Sequence, residues 1–550
     1  MIVKMKHLDL VSLAAERDTT LSALRELGAV HLDLGSAAGA EVAAAKGEAA
    51  DAEKAVRLIL KARESLDYAE TLAPVAMTVQ EALALAEKIE AAKAKAGDVE
   101  REVKKYAPYG DFDPELARKL IAAGVDFKSL EGVELPEELP SRRLSAMEAE
   151  LANVNGEIAG DTARLAAADE AMIVSRFPML ADKVAFTAAK ELLAAHGALA
   201  AVSGWVPVTK TAAVSDAAKA NGWGVLLRDP AEGETPPTLV EPPKLFRPMT
   251  ALFAGIGIAP GYTEADVSVP FMCYFTLFFA MLVGDGAYGA IFLAATLFGW
   301  FKAGKSKAAR PWLILLTVFS LATVAWGVLS NTWFGAAIPY CADWPTVKWL
   351  GDATYQNMMF LCFTIGASHL VLARVWNGIC LAPDSTSLAQ FGWAGIIVFM
   401  YYVVNSIVGI FTGIPTWAFW MFGVSLVAVF GFSVKPSELK TRGAELGMLP
   451  LNIMSALGDI ISYVRLFAVG LASVKVAQNF NDMAVGLDLP MYLKVVPMVL
   501  ILLVGHGLNL AMAMLSILVH AVRLNTLEFS NHKGVSWSGY AFRAFARNAS

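Results

Sequence analysis

Arg465 stands about half-way along an apolar run from Leu449 to Asn479, within LGDIISYVRLFAVGLASVKVA. A fixed positive charge in hydrocarbon costs at least several kcal/mol, so its presence needs a reason. Guanidinium keeps its proton in proteins, and Arg465 therefore stays cationic through any proton movement nearby. That suits a residue which attracts a carboxylate repeatedly without becoming a proton carrier. Asn452, Ser455, Asp459 and Ser462 lead up to Arg465 at steps of 3, 4, 3 and 3 residues, on one helical face, and small Ala468 and Ala472 continue it. Asp459 is more than one and a half turns from Arg465, so direct pairing is not expected. A later apolar run carries His506, Asn509, Ala513, Ser516, His520 and Arg523 at steps of 3, 4, 3, 4 and 3, again one face. Polar groups in lipid must be satisfied, so such stripes line a hydrated path or hold neighbouring helices by hydrogen bonds. A shared metal is not expected, because His506 and His520 lie roughly 21 Å apart at about 1.5 Å per residue.

Other chemistry-bearing residues read more plainly. Arg523 either snorkels from the helix end or sits deeper in a tilted helix. Glu528 and His532 follow the last run and are expected in solvent. Asp285, in VGDGAYG, belongs to a tight turn or helix end, with a role in ion access as the alternative, and His369 reads as a core histidine, with a relay as the alternative. GWFKAGKS, residues 299–306, fits the phosphate-loop pattern but follows an apolar span and contains Trp300 and Phe301, so it reads as a basic cytoplasmic turn, with nucleotide binding as the weaker alternative. Cys273, Cys341, Cys362 and Cys380 show no CxxC spacing, and neither a disulfide framework nor a zinc site is expected.

The elements that must position these residues divide the chain. It has 550 residues, 56% of them hydrophobic, too apolar on average for one soluble globule. Up to residue 265 there are 29 Lys+Arg against 40 Asp+Glu, and 16 against 11 afterwards, so the formal −6 divides into −11 and +5. Residues 1–265 read as an arm and 266–550 as a membrane domain. Within the arm, 1–35 and 197–230 read as strand, helix, strand, including KMKHLDLVSL, AVHLDL and SGWVPV. Residues 38–105 and 145–196 read as two long helical arms of an antiparallel coiled coil, with a compact helical bundle as the alternative. Residues 108–141 form a small distal lobe, and 231–265 a Pro-rich linker.

After Val267, eight apolar runs are candidate spans: 268–283, 286–302, 311–333, 355–378, 389–411, 414–433, 449–479 and 492–525. The first two are short enough for a re-entrant hairpin. The fold class is thus an α-helical polytopic membrane protein with about eight transmembrane helices and an N-terminal α/β plus coiled-coil arm. The start of the chain lacks the apolar core of a signal peptide, which places the N-terminus in the cytoplasm. With that orientation eleven loop and tail Lys/Arg, among them Arg374, Lys533 and Arg543, face the cytoplasm, and three (Lys348, Lys475, Lys494) face outside. Both termini are then cytoplasmic.

Taken together, SYVRLFAVGLA, GHGLNLAMAMLSILVHAVRLNTLEF, FFAMLVGDGAYG, SGWVP and PMTALFAGIGIAPGYTEADVSVPF resemble subunit I of the V/A-type rotary ATPases (ATP synthases) of bacteria and archaea. That family is the counterpart of the eukaryotic V-ATPase a subunit, and the resemblance spans nearly the whole chain. It implies a cytoplasmic arm that docks peripheral stalk subunits and an eight-span domain beside a rotating proteolipid ring. By motif, Arg465 matches the arginine that engages the ring carboxylate, and Arg523 matches the second arginine on the last span. The eukaryotic relatives carry a histidine where this chain has Ser473 and a glutamate where it has Ala513, which leaves His506, Asn509 and Ser516 as substitutes. The distal segment is short for the family.

The expectation is a non-catalytic stator subunit of an ATP-driven rotary translocase in the cell membrane. It couples H⁺ or Na⁺ movement to ATP hydrolysis or synthesis. Its partners would be the c/K ring, the peripheral stalks, the lipid bilayer and, through the complex, the V1/A1 head and central stalk, with no cofactor and no nucleic acid. Asp459, Ser462, Arg465, His506, Asn509, Ser516, His520 and Arg523 are the expected ion-path residues, followed by Ser473, Glu528 and Asp285. No carboxylate in this chain is expected to pair with Arg465, so its partner is expected on another, moving subunit. The rival readings are a secondary ion transporter with a cytoplasmic regulatory domain and a membrane scaffold without transport. The first would show internal repeats, and none is evident.

Overall fold

A computed structural model describes all residues except 35–36, 67–73, 126–135, 137, 352–353, 436–443, 488–489 and 548–550. Most of the expected distal lobe's second half, and Lys440 and Arg442, lie outside the described residues. The chain forms two compact units, Lys6–Asp229 with Arg543–Ser550, and Met1–Met5 with Pro230–Phe542. The boundary therefore falls at Asp229/Pro230 rather than at 265. The reason is backbone pairing: Val3 N–H donates to Leu239 O at 2.9 Å, and Thr238 N–H to Tyr540 O at 2.8 Å, which knits the Pro-rich segment to the second unit.

The first unit contains helices α1 (Arg17–Leu27), α2 (Ala40–Glu64), α3 (Val79–Tyr106), α4 (Pro114–Ala122), α5 (Leu144–Ala166), α6 (Phe177–Leu192) and α7 (Thr211–Asn221). Its strands β1 (Met5–Leu13), β2 (Ala194–His196), β3 (Leu199–Pro207) and β4 (Gly224–Arg228) form one sheet in the order β2-β3-β1-β4. Alternation does the sorting: Leu8 and Leu10 of β1 and Val202 and Val206 of β3 are buried against Leu21, Leu24 and Val214. AVHLDL, expected as a strand, contributes only a bridge between His31 and Trp205. That close approach needs Gly204, where a Cβ would lie 2.6 Å from His31 O.

The two arms expected as continuous helices are each interrupted, between α2 and α3 and between α5 and α6. The breaks meet: Val75 N–H donates to Ala167 O at 2.8 Å and Asp169 N–H to Val75 O at 2.9 Å. Local chemistry restarts each helix. Thr78 and Glu81 form a capping box at the start of α3, and the Asp169 carboxylate caps the turn after α5. As a result α2 packs on both α3 and α6, with Ala52, Ala55, Ile59, Ala82, Ala86 and Leu165 in one cluster. Small alanines let the backbones approach, and α3 lies antiparallel against α5, with Lys88–Asp161 and Lys95–Glu150 each at 2.8 Å, so the two expected arms do pair but each is broken once.

The C-terminal tail belongs to this unit. Phe545 joins the apolar core, its N–H donates to Val30 O at 2.7 Å, and Arg543 N–H donates to His31 Nδ1 at 2.9 Å. Burial pushes the His31 pKa below its ordinary value of 6.5. A histidine depressed in the folded state contributes stability above its unfolded pKa and loses it as pH falls through the folded value. Protease cleavage in the tail of the whole protein should therefore accelerate several-fold between pH 7.5 and 5. His31→Gln should flatten that dependence, and a flat wild-type profile would show that the histidine does not hold the tail.

The second unit contains α8 (Ser268–Val283), α9 (Gly286–Ala303), α10 (Ala309–Ser330), α11 (Gln356–Leu381), α12 (Thr386–Ile407), α13 (Thr416–Phe432), α14 (Leu449–Ile461), α15 (Val464–Val485) and α16 (Met491–Ser516). Among the described residues five apolar helices are long enough to cross a membrane: α10, α11, α12, the joined α14–α15 and Leu493–Lys533, which extends α16. The expected eight crossings are thus five by length and composition. α8 and α9 turn through 119° and make a sixth if they form one span. At about 1.5 Å per residue α8 and α13 fall short of a hydrocarbon layer of about 30 Å. The protein is nonetheless a helical, polytopic membrane protein.

α8 is apolar all round because it lies at the centre: Phe271, Phe275, Phe278 and Phe279 are buried, and Phe279 stacks on Phe319 of α10 at 5.0 Å. Glycines set the closest crossings. A Cβ at Gly366 would lie 2.5 Å from the Tyr463 ring, and one at Gly470 would lie 2.6 Å from Met281 O.

Candidate functional site

Two local irregularities position the charged residues. Ser462 and Tyr463 break the helix between α14 and α15, and the freed Ser462 carbonyl accepts from Arg465 Nε at 2.9 Å. The Ser462 hydroxyl is spent on Gly458 O at 3.0 Å. Beyond α16 the helix widens into π turns at Ile517–Ala521 and Leu524–Phe529. A π turn holds an extra residue and rotates everything after it. The buried line consequently runs through Asn509, Ala513, Ile517, Ala521 and Asn525 to Glu528 and His532. The stripe expected from a 3.6-residue period drifts off it: Ser516 and His520 are half-buried and Arg523 is exposed.

The π turns bring Glu528 inward. Its Oε1 accepts from Arg465 Nη2 at 2.9 Å and lies 3.6 Å from Arg523 Nε, with the side chain only 6% exposed. This corrects two expectations, that Glu528 is solvated and that the chain holds no carboxylate for Arg465. His532, also expected in solvent, is buried.

On the Leu449 side of this bridge, Arg374 Nε donates to His532 Nδ1 at 2.9 Å and Nη1 to Gln390 Oε1 at 2.9 Å. With Nδ1 accepting, His532 carries its proton on Nε2 and donates it to Asp459 Oδ2 at 2.9 Å. Asp459 is thus paired, with a histidine rather than with Arg465. Asn452, Ser455, Asp459, Arg374, Gln390 and His532 line a polar cavity of about 400 Å³. Arg374 therefore sits in a buried network, and Lys533 lies over the Trp376 ring at 5.1 Å, so neither is a loop charge. The expected eleven-to-three charge asymmetry is weaker by those two.

A second network lies further along α15. Asn509 Nδ2 donates to Tyr288 OH at 3.0 Å and to Ser473 O at 2.9 Å. Tyr288 OH meets His506 Nδ1 at 2.7 Å, and His506 Nε2 meets Asn481 Oδ1 at 3.1 Å. One consistent proton ordering runs from Asn509 through Tyr288 and His506 to Asn481. Ser473 takes part through its carbonyl, while its hydroxyl reaches Val283 O at 3.4 Å. Asp285 caps α9, accepting from Ala287 N–H at 2.8 Å and, through its other oxygen, from Gly335 N–H at 2.8 Å. Gly470, Val474, Gln478, Ser330 and Thr332 help line a cavity of about 200 Å³ on this side.

Between the networks sits His369, fully buried and stacked between Tyr274 at 4.0 Å and Phe529 at 4.4 Å. Its Nδ1 meets Tyr463 OH at 2.8 Å, while Nε2 has no partner among the described residues. Among the described residues His520 Nδ1 also has none, and Ser516 enters neither network. Tyr288, Tyr463, Asn481, Gln390 and Arg374 were not expected at the site. For Arg374 the signal existed, since a cation inside an apolar run asks the same question as Arg465. No group of acidic, histidine and cysteine side chains fit to hold a metal occurs among the described residues.

The arrangement has an open side. Ala468 and Ala472 of α15 are exposed, as are Leu508 at 52%, Met512 at 46%, Leu515 at 63% and Val519 at 49% on the last helix. A buried ion bridge is therefore flanked by two polar networks and edged by an uncovered smooth, apolar strip.

No family model matches the chain. It is similar to V-type ATP synthase subunit I 1 of Treponema pallidum, 28% identical over 99% of this chain and 100% of that protein. V-type ATP synthase subunit I of Borreliella burgdorferi is 34% identical over 63% of this chain and 60% of its own length. A-type ATP synthase subunit I of Methanocaldococcus jannaschii is 25% identical over 60% of this chain and 52% of its own. The chain thus matches one relative from end to end and little more than half the length of the others. Its sequence relatives and its polytopic helical build agree, and the chain is a homologue of proteins named V-type and A-type ATP synthase subunit I.

Proposed function

We propose that this chain is the ion-translocating stator subunit of its complex. The observation that carries the reading is Arg465, a permanent cation on the uncovered side of a helix with a polar network before it and another after it. Two networks interrupted by a fixed charge suit two half-channels, each open to one face of the membrane. An ion entering by one would neutralise a carboxylate on a rotating proteolipid ring, ride the ring through lipid and leave by the other. An ionised carboxylate enters lipid only at high cost, whereas a neutral or ion-loaded one enters readily. Arg465 favours the ionised carboxylate and so ejects the ion, and its charge blocks a direct leak between the networks.

In this reading the Asp459–His532–Arg374 cavity opens to the cytoplasm and the Tyr288–His506–Asn481 network to the other side. The smooth strip of Ala468 and Ala472 suits a partner that slides past it. The arm ties the membrane sector to peripheral stalks, and the protein resides in the cell membrane with both termini cytoplasmic. The ATP chemistry takes place on other subunits. Mild-detergent purification of the tagged chain should bring down a ring of small helical proteolipids together with an ATPase head. Recovery of the chain without either, from membranes where both are made, would remove the assignment.

A further inference from the structure

The bridge between Arg465 and Glu528 has an unusual form. A durable arginine–carboxylate pair commonly uses both oxygens against the guanidinium fork. Glu528 instead offers Oε1 alone, to Arg465 Nη2 at 2.9 Å and towards Arg523 Nε at 3.6 Å. Its Oε2 is buried and has no hydrogen-bond partner among the described residues. Arg465 is held independently by its Nε, which donates to the Ser462 carbonyl at 2.9 Å, and its side chain is 23% exposed. Among the described residues nothing hydrogen-bonds to its Nη1. The guanidinium is thus anchored from behind, neutralised on one flank by a single oxygen, and free on another.

We propose that Glu528 is an exchangeable counter-ion, which neutralises Arg465 until an incoming ring carboxylate takes its place, and which reclaims Arg465 as that carboxylate leaves. This rests on the stator reading above. The physical need is specific. Between two ring carboxylates a bare guanidinium would be left at membrane depth, at a cost of several kcal/mol. Swapping one carboxylate for another avoids that state and keeps the ring from being held too tightly. Arg523 remains within reach of Glu528 Oε1 during the exchange, so the displaced glutamate is not stranded. The π turns at Leu524–Phe529 supply the register that this arrangement requires.

The test compares Glu528→Gln, Glu528→Asp and Arg465→Gln in the assembled complex, reading ATP-driven ion transport and ATP hydrolysis together. Glu528→Gln keeps the shape and removes the competitor. Transport should fall about tenfold and hydrolysis in step with it, because Arg465 now releases each ring carboxylate slowly. Glu528→Asp keeps the charge and should retain at least about a third of wild-type turnover. Wild-type turnover in Glu528→Gln would overturn the proposal. So would equal slowing by Gln and Asp, or failure of Glu528→Gln to assemble, each of which assigns Glu528 to packing. If Arg465→Gln still transports, the stator reading itself fails. If Arg465→Gln is inactive while Glu528→Gln is normal, the stator reading stands and the exchange does not.

Discussion

Arg465→Gln is expected to abolish ATP-driven ion transport, by at least about a hundredfold, in complexes that still assemble. A hundredfold corresponds to about 2.7 kcal/mol. Glutamine keeps hydrogen-bonding capacity but lacks the charge that would favour an ionised ring carboxylate. Assembly should survive because Glu528 retains Arg523, whose Nε lies 3.6 Å from its Oε1. Arg465→Lys should be severely impaired as well. A lysine has one nitrogen where arginine uses Nε for the Ser462 carbonyl and Nη2 for Glu528, and it loses its proton far more readily when desolvated. The measurement is ion uptake into vesicles, normalised to the amount of assembled complex. Transport at even a tenth of the wild-type rate in the Gln variant would sink the assignment.

Gly327→Ala should destabilise the membrane unit by about 3 kcal/mol or more, at the upper end of overpacking effects. A Cβ at Gly327 of α10 would land on the backbone of Gly286, at the first turn of α9. Backbone cannot swing aside as a long side chain can. Gly286 is itself pinned, because its N–H donates to Thr332 O at 2.9 Å and Asp285 beside it caps α9. Displacing that turn would also move Tyr288, and with it the His506 and Asn509 contacts. Gly423→Ala on α13 is the control, since nothing among the described residues lies within 4 Å of a Cβ there. Thermal unfolding of the purified protein in detergent should separate the two clearly. Equal melting temperatures would show that the α9–α10 contact is not as tight as described.

The irregularities explain what was hard to read. The steps from His506 to Arg523 obey an α-helical period, and the helix obeys it only as far as Ser516. Each π turn adds a residue, so Arg523 turned outward and Glu528, which belonged to no stripe, turned in. A similar limit applied to the arm. Its Ala-rich composition gave helices, but the meeting of Val75 with Ala167 and Asp169 depended on two segments far apart in the chain, which no local pattern records. AVHLDL alternates like a strand, yet only His31 pairs, because the C-terminal tail takes Val30 and the His31 ring.

By itself the sequence determined the helical runs, the division into a charged arm and an apolar domain, the position of Arg465 in mid-run, and the relatives to which the chain is similar. These are properties of composition and period, and they are local. The tertiary structure alone decided the partners: Glu528 for Arg465 across 63 residues, His532 for Asp459 across 73, and Tyr288 for His506 across 218. A charge or a polar group in lipid must find a partner, but any helix in the bundle can supply it, and only packing chooses which. The question raised by an isolated arginine was therefore legible from residue types, and its answer was fixed by two π turns and a helix break.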